Sequence, residues 1–173
     1  MVARLLLFFV IALVAGLPPR TAQAQDPALI HALAQVCLPY AQRSHSFEKA
    51  IQVARYAGFR RPVGDTARLE DFASTVEMVS RDGVWRLKLE EGSRDFEGRE
   101  VYAAECRLSS RRSGIRELSN IARRAFRNPQ RWSRPDERRW DRRTPRPEEN
   151  KLIVRVIGGE GAPPEMIITG YYL

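Results

Sequence analysis

From residue 72 the apolar residues switch from helical spacing to strict alternation, and this switch constrains the fold more than any other feature of the chain. In the stretch 84–90, Trp85, Leu87 and Leu89 share one face of an extended strand, while Arg86, Lys88 and Glu90 share the other. Arg81-Asp82-Gly83 stands just before it. Asp-Gly is a strong turn signal, so Thr75–Ser80 and Val84–Glu90 are predicted to pair as a hairpin. Glu100–Leu108 repeats the pattern, with Tyr102, Ala104, Cys106 and Leu108 on one side and Val101, Glu105 and Arg107 on the other. Such alternation belongs to an antiparallel sheet that buries one face.

Helices are predicted before and after these strands in the sequence. Leu29, Leu33, Val36, Cys37 and Tyr40 recur at helical spacing after Asp26-Pro27, with Pro39 expected to end or kink the helix. Ser46 caps a second helix carrying Phe47, Ala50, Ile51, Ala54 and Ala57, and Gly58 suits the left-handed position after its end. Ser113–Arg127 is predicted as a third, with Ile115, Leu118, Ile121, Ala122 and Ala125 inward and Asn128-Pro129 ending it. Lys151–Ile157 and Glu165–Leu173 read as closing strands joined by a Gly-rich turn. The expected fold is α+β in the order ααβββαββ: a mainly antiparallel sheet of about five strands with helices on one face.

Residues 1–24 have the layout of a secretory signal peptide that is cleaved: Arg4, an apolar run Leu5–Leu17, then small residues at Ala22 and Ala24. That run is 13 residues, short of the roughly 17–25 that a membrane-crossing helix needs. The expectation is an exported protein, periplasmic or extracellular, with a single domain at 25–173 and no transmembrane segment left after cleavage. An oxidising compartment and two cysteines then point to one disulfide, Cys37–Cys106. Cys37 lies on the apolar stripe of the first helix and Cys106 on the alternating face of a strand. A helix packed on that face brings them together.

The chain carries a formal net charge of +8, two of its arginines lying within residues 1–24. The excess is local: residues 111–147 hold 13 arginines against 4 acids. Within them, Arg131, Trp132, Arg134, Arg138, Arg139, Trp140, Arg142 and Arg143 interleave guanidinium and indole groups in a Pro-rich stretch, 128–150, predicted as an exposed insertion. Guanidinium groups bind phosphate and carboxylate through paired donors, and indole rings settle at interfaces or stack. These eight residues are the candidate polyanion-binding set. The partners they suggest are an anionic envelope component (lipid headgroup, lipopolysaccharide or acidic polymer) or an envelope protein. The compartment argues against nucleic acid. Alternatively, the two tryptophans pin the segment to its own domain.

Catalytic signals are sparse. The chain has no nucleophile elbow, phosphate-binding glycine loop or dinucleotide fingerprint, and His31 and His45 stand apart from any ligand spacing. No metal, cofactor or catalytic residue is expected. Glu90, Glu91, Asp95, Glu97 and Glu100 are the one carboxylate group dense enough for acid–base work on a cell-wall or acidic polymer. A non-catalytic binding module therefore leads, with a hydrolase or a structural subunit of an envelope complex as alternatives.

Overall fold

The structure, a computed structural model, describes residues 27–62, 69–70, 73–144, 150–159 and 161–173. The signal peptide expected at 1–24 and the cap expected at Asp26 lie outside these residues.

Three helical segments are present among them. The first, α1, starts at Pro27–His31, widens into a π-helical stretch over Ala32–Cys37 and returns to α geometry over Leu38–Ala41. A proline ring clashes with the carbonyl four residues back in a regular helix. The wider turn ahead of Pro39 accommodates it, so α1 continues past the expected break. The second helix, α2, is Phe47–Tyr56, and Ser46 Oγ accepts from Lys49 N at 3.2 Å as an N-cap should. Gly58 follows at φ +89°, the left-handed position its spacing predicts. The third, α3, is Ile115–Ala125.

The five-stranded α+β sheet with helices on one face is not what forms. The protein is mostly sheet. The described strands are β1 Phe59–Arg60, β2 Leu69–Glu70, β3 Ala73–Ser80, β4 Trp85–Phe96, β5 Arg99–Ser110, β6 Trp132–Asp136, β7 Arg139–Arg142, β8 Asn150–Gly159 and β9 Ala162–Tyr172. Eight of them bond in the order β1-β3-β4-β5-β9-β8-β7-β6, and β2 pairs with β3 beside that path. Every pairing is antiparallel. The extra strands escaped the sequence reading for physical reasons. β1 and β2 are two residues each, too short to show a period, and β6 and β7 bury a single tryptophan amid charged neighbours.

Apolar residues are also buried on both sides of the sheet. The main cluster joins Leu29, Val36 and Tyr40 of α1, Phe47 and Ile51 of α2, and Leu118 and Ile121 of α3 to Met78, Leu87, Leu89, Leu108, Val154, Met166 and Ile168. Burial of each large apolar side chain stabilises the fold by about 1.5–3 kcal/mol. A second cluster, Val101, Ala103, Ile153 and Tyr171 with Phe96, occupies the opposite parity. Phe96, near the β4–β5 turn, folds back until its ring is 4.4 Å from that of Tyr171.

Cys37 and Cys106 form a disulfide, with Cα atoms 5.2 Å apart. Cys106 lies in register between Leu89 and Ile168, so the bridge fastens α1 to the middle of the sheet.

Candidate functional site

The Arg/Trp segment forms a hairpin where an exposed insertion was expected, although residues 145–149 lie outside those described. Its anchor is Trp140, in register with Val154 and 2 % exposed. Phe126, just past α3, lies 4.6 Å from the ring of Trp132 and 6.2 Å from that of Trp140. The two indoles therefore pin the hairpin to its own domain, and Trp140 is not available to a ligand. Arg134 lies across Trp140 at 5.7 Å and donates to the Glu137 carbonyl at 2.9 Å. Asp136 accepts from Arg138 N at 2.7 Å, closing the turn, and the edge strand β6 carries Pro135 at a register shift, where no ladder bond is lost.

The arginines divide into groups. Arg139, Arg142 and Arg143 line a groove of about 370 Å³ with Lys151 of β8 and with Phe96 and Glu97 of the β4–β5 turn. Arg139 is already bound: its Nε and Nη2 donate to the two Asp141 carboxylate oxygens at 2.7 and 3.0 Å, and the hydrogen bond to Asp141 raises its pKa above the ordinary guanidinium value. Arg142, Arg143 and Lys151 make no ion pair among the described residues. Arg138 faces a separate hollow against α3, with Arg116, Arg123 and Glu137. Arg131 contributes its carbonyl to Arg143 N at 2.8 Å while its side chain is exposed.

Three of the eight sequence-predicted residues are thus brought together, and they are joined by Lys151 and Phe96, which the sequence does not single out, and by Glu97 of the carboxylate group. The available signal was the turn. Glu97 at φ +55° and Gly98 at φ +78° reverse the chain there, beside Phe96 with its ring against Tyr171.

A second cleft, about 380 Å³, lies over β3, β4, β5 and β9. Most of its charges are paired, Arg86 with Glu77 at 3.0 Å, Lys88 with Glu90 at 2.8 Å and Arg107 with Glu165 at 3.5 Å, which leaves Arg111 without an ion pair among the described residues. Close to it, Glu105, 6 % exposed, accepts from Arg107 Nε at 2.7 Å and Thr169 Oγ1 at 2.9 Å, so its buried charge is compensated. This cleft offers an incoming ligand little unpaired charge.

The carboxylates suggested for acid–base work are dispersed. Glu90 sits between Lys88, at 2.8 Å, and Arg94. Burial alone raises its pKa, but the hydrogen bond from Lys88 and the two cations hold it below the usual carboxylate range. Glu91 points to the other face and accepts from Tyr40 Oη at 3.2 Å. Asp95 caps the turn through Gly98 N at 3.3 Å. Neither cleft described above is lined by two of them. His31 is exposed, and among the described residues no three His, Cys, Asp or Glu side chains are grouped to hold a metal ion.

A final polar constellation closes α1 onto the sheet. The guanidinium of Arg43 lies 5.0 Å from the ring centres of both Tyr102 and Tyr172, and Tyr172 Oη donates to the Ala41 carbonyl at 2.5 Å. Burial, then Glu91, pushes the Tyr40 phenol well above its ordinary value, and burial pushes Tyr172 up to about 12. These phenols remain hydrogen-bond donors throughout the neutral range. No described helix is long and apolar enough to cross a membrane. No protein-family model, curated protein or solved structure matches the chain.

Proposed function

We propose that the protein is an exported, non-catalytic binding domain that holds an anionic component of the cell envelope in the groove between the β4–β5 turn and β7–β8. The observation that carries this reading is the set Arg142, Arg143 and Lys151. These three cations border one groove and make no ion pair among the described residues. Phosphate or carboxylate groups complete their hydrogen bonding, and Phe96 supplies an apolar wall beside them. Export is supported by the layout of residues 1–24, and a disulfide suits an oxidising compartment.

The test is co-sedimentation with lipopolysaccharide, with phosphatidylglycerol vesicles and with polyglutamate coupled to beads. The expected result is retention by at least one of them, weakened tenfold or more in Arg142→Gln/Arg143→Gln/Lys151→Gln. Equal retention of the variant sinks the reading.

A further inference from the structure

A second group of cations, at the opposite end of the strand order, collects around a different hollow. Gly58 turns the chain out of α2 into β1, and β1 pairs with the end of β3, Phe59 with Ser80 and Arg60 with Val79. This register sets Arg60 and Arg61 beside Arg81 of the β3–β4 turn, and Arg55 approaches from the last turn of α2. The four arginines line a hollow of about 480 Å³ with Gly58 and Phe59, and among the described residues its lining includes no acid. Asp82, which adjoins Arg81, is committed elsewhere: it accepts from Ser80 Oγ at 2.5 Å and from Val84 N at 3.1 Å.

Local structure accounts for only part of this. Arg55 at the C-terminus of α2 complements the partial negative charge of the helix end. Arg60 Nη2 donates to the Arg81 carbonyl at 3.3 Å, which draws the two arginines together. Neither contact explains Arg61, whose Nε is buried and has no hydrogen-bond partner among the described residues. A buried donor without an acceptor is costly, and gathering like charges adds repulsion. The repulsion is relieved by one small anion with several acceptor oxygens.

We infer that this hollow is a phosphate-binding site, independent of the groove at β7–β8. Arg55, Arg60, Arg61 and Arg81 supply guanidinium donors to a tetrahedral oxyanion. The phosphate belongs either to a lipid headgroup or to a small soluble molecule.

The experiment uses the full chain expressed with its own N-terminus and purified. Titration with inorganic phosphate, followed by amide NMR, should move Gly58, Phe59, Arg60, Arg61 and Arg81 together in one saturable process. Arg61→Gln/Arg81→Gln should bind at least tenfold more weakly, and Arg81→Gln alone, at an exposed turn, several-fold more weakly with an unchanged amide spectrum elsewhere. Arg142→Gln/Arg143→Gln/Lys151→Gln should leave these shifts as they are, so the site stands or falls apart from the groove. Shifts that rise linearly without saturating, or Gln variants that saturate like the wild type, overturn the inference. Phosphatidylglycerol vesicles identify the source: co-sedimentation that the Arg61/Arg81 variant loses assigns a lipid phosphate. No co-sedimentation alongside saturable phosphate binding assigns a soluble one.

Discussion

Gly170→Ala tests how closely α1 lies on the sheet. A Cβ at residue 170 falls 1.9 Å from the Ala41 carbonyl oxygen, 2.9 Å from its carbonyl carbon and 2.9 Å from Tyr172 Oη. A carbon normally approaches an oxygen no closer than about 3.3 Å, so the end of α1 must retreat by more than about 1 Å. Overpacking of this kind costs roughly 1–3 kcal/mol. The retreat also breaks the bond from Tyr172 Oη to Ala41, worth about 1 kcal/mol. Alanine recovers roughly 0.5–1 kcal/mol through its smaller loss of backbone freedom. The net destabilisation is about 1–3.5 kcal/mol, which lowers the urea midpoint by roughly 0.5–2 M at the slope usual for a chain of this size. The assay is equilibrium urea unfolding by tryptophan fluorescence with the disulfide intact. Tyr172→Phe alone should cost about 1 kcal/mol, and the double variant less than the sum, because both changes act on one carbonyl. A Gly170→Ala midpoint indistinguishable from wild type refutes the close approach.

Three further outcomes follow from the structure. Non-reducing peptide mapping should recover a linked Cys37–Cys106 pair, and Cys37→Ser/Cys106→Ser should lose on the order of 4 kcal/mol because the bridge spans 69 residues; two alkylatable thiols in the native protein contradict it. Trp140→Ala should cost about 3–5 kcal/mol as a core truncation and Trp132→Ala, half-buried against Phe126, about 1–2 kcal/mol; equal denaturant midpoints contradict the placement of the two rings. Tyr40, Tyr102 and Tyr172 all have phenol pKa values raised in the fold, by burial first and, for Tyr40 and Tyr102, Glu91 next. Their contribution is therefore complete below the ordinary value of 10.0 and is lost as the pH rises beyond it, so melting temperature should fall steeply above that pH with delayed phenolate absorbance. All tyrosines ionising together near 10 with structure intact contradicts this.

The sequence is legible where burial imposes a period. Leu87 and Leu89 in β4, and Cys106 and Leu108 in β5, announce their strands by alternation, and Cys37 on a helical stripe anticipates the bridge to Cys106. Ser46, Gly58 and Asp82-Gly83 announce their turns by backbone chemistry and do what that chemistry requires. The far half of β4 is hidden because Ser93, Arg94 and Asp95 face solvent or half-buried surroundings and carry no apolar rhythm. The β6–β7 hairpin was hidden for a related reason. Pairing with β8 and the burial of Trp140 hold it, while charged residues occupy most of its other positions. In the candidate groove, Arg139, Arg142 and Arg143 were visible as a charge cluster. Lys151 and Phe96 were not, because only the sheet order brings β8 and the β4–β5 turn to the same groove.

Hydrogen–deuterium exchange with lipopolysaccharide, phosphatidylglycerol vesicles and polyglutamate added in turn tests the proposed groove most directly. With at least one of these, exchange should slow at Phe96 and Glu97, at Arg142 and Arg143, and at Lys151 and Ile153, and the protection should be lost in Arg142→Gln/Arg143→Gln/Lys151→Gln. Protection confined to other elements, or none with any of the three, contradicts the groove as a binding site.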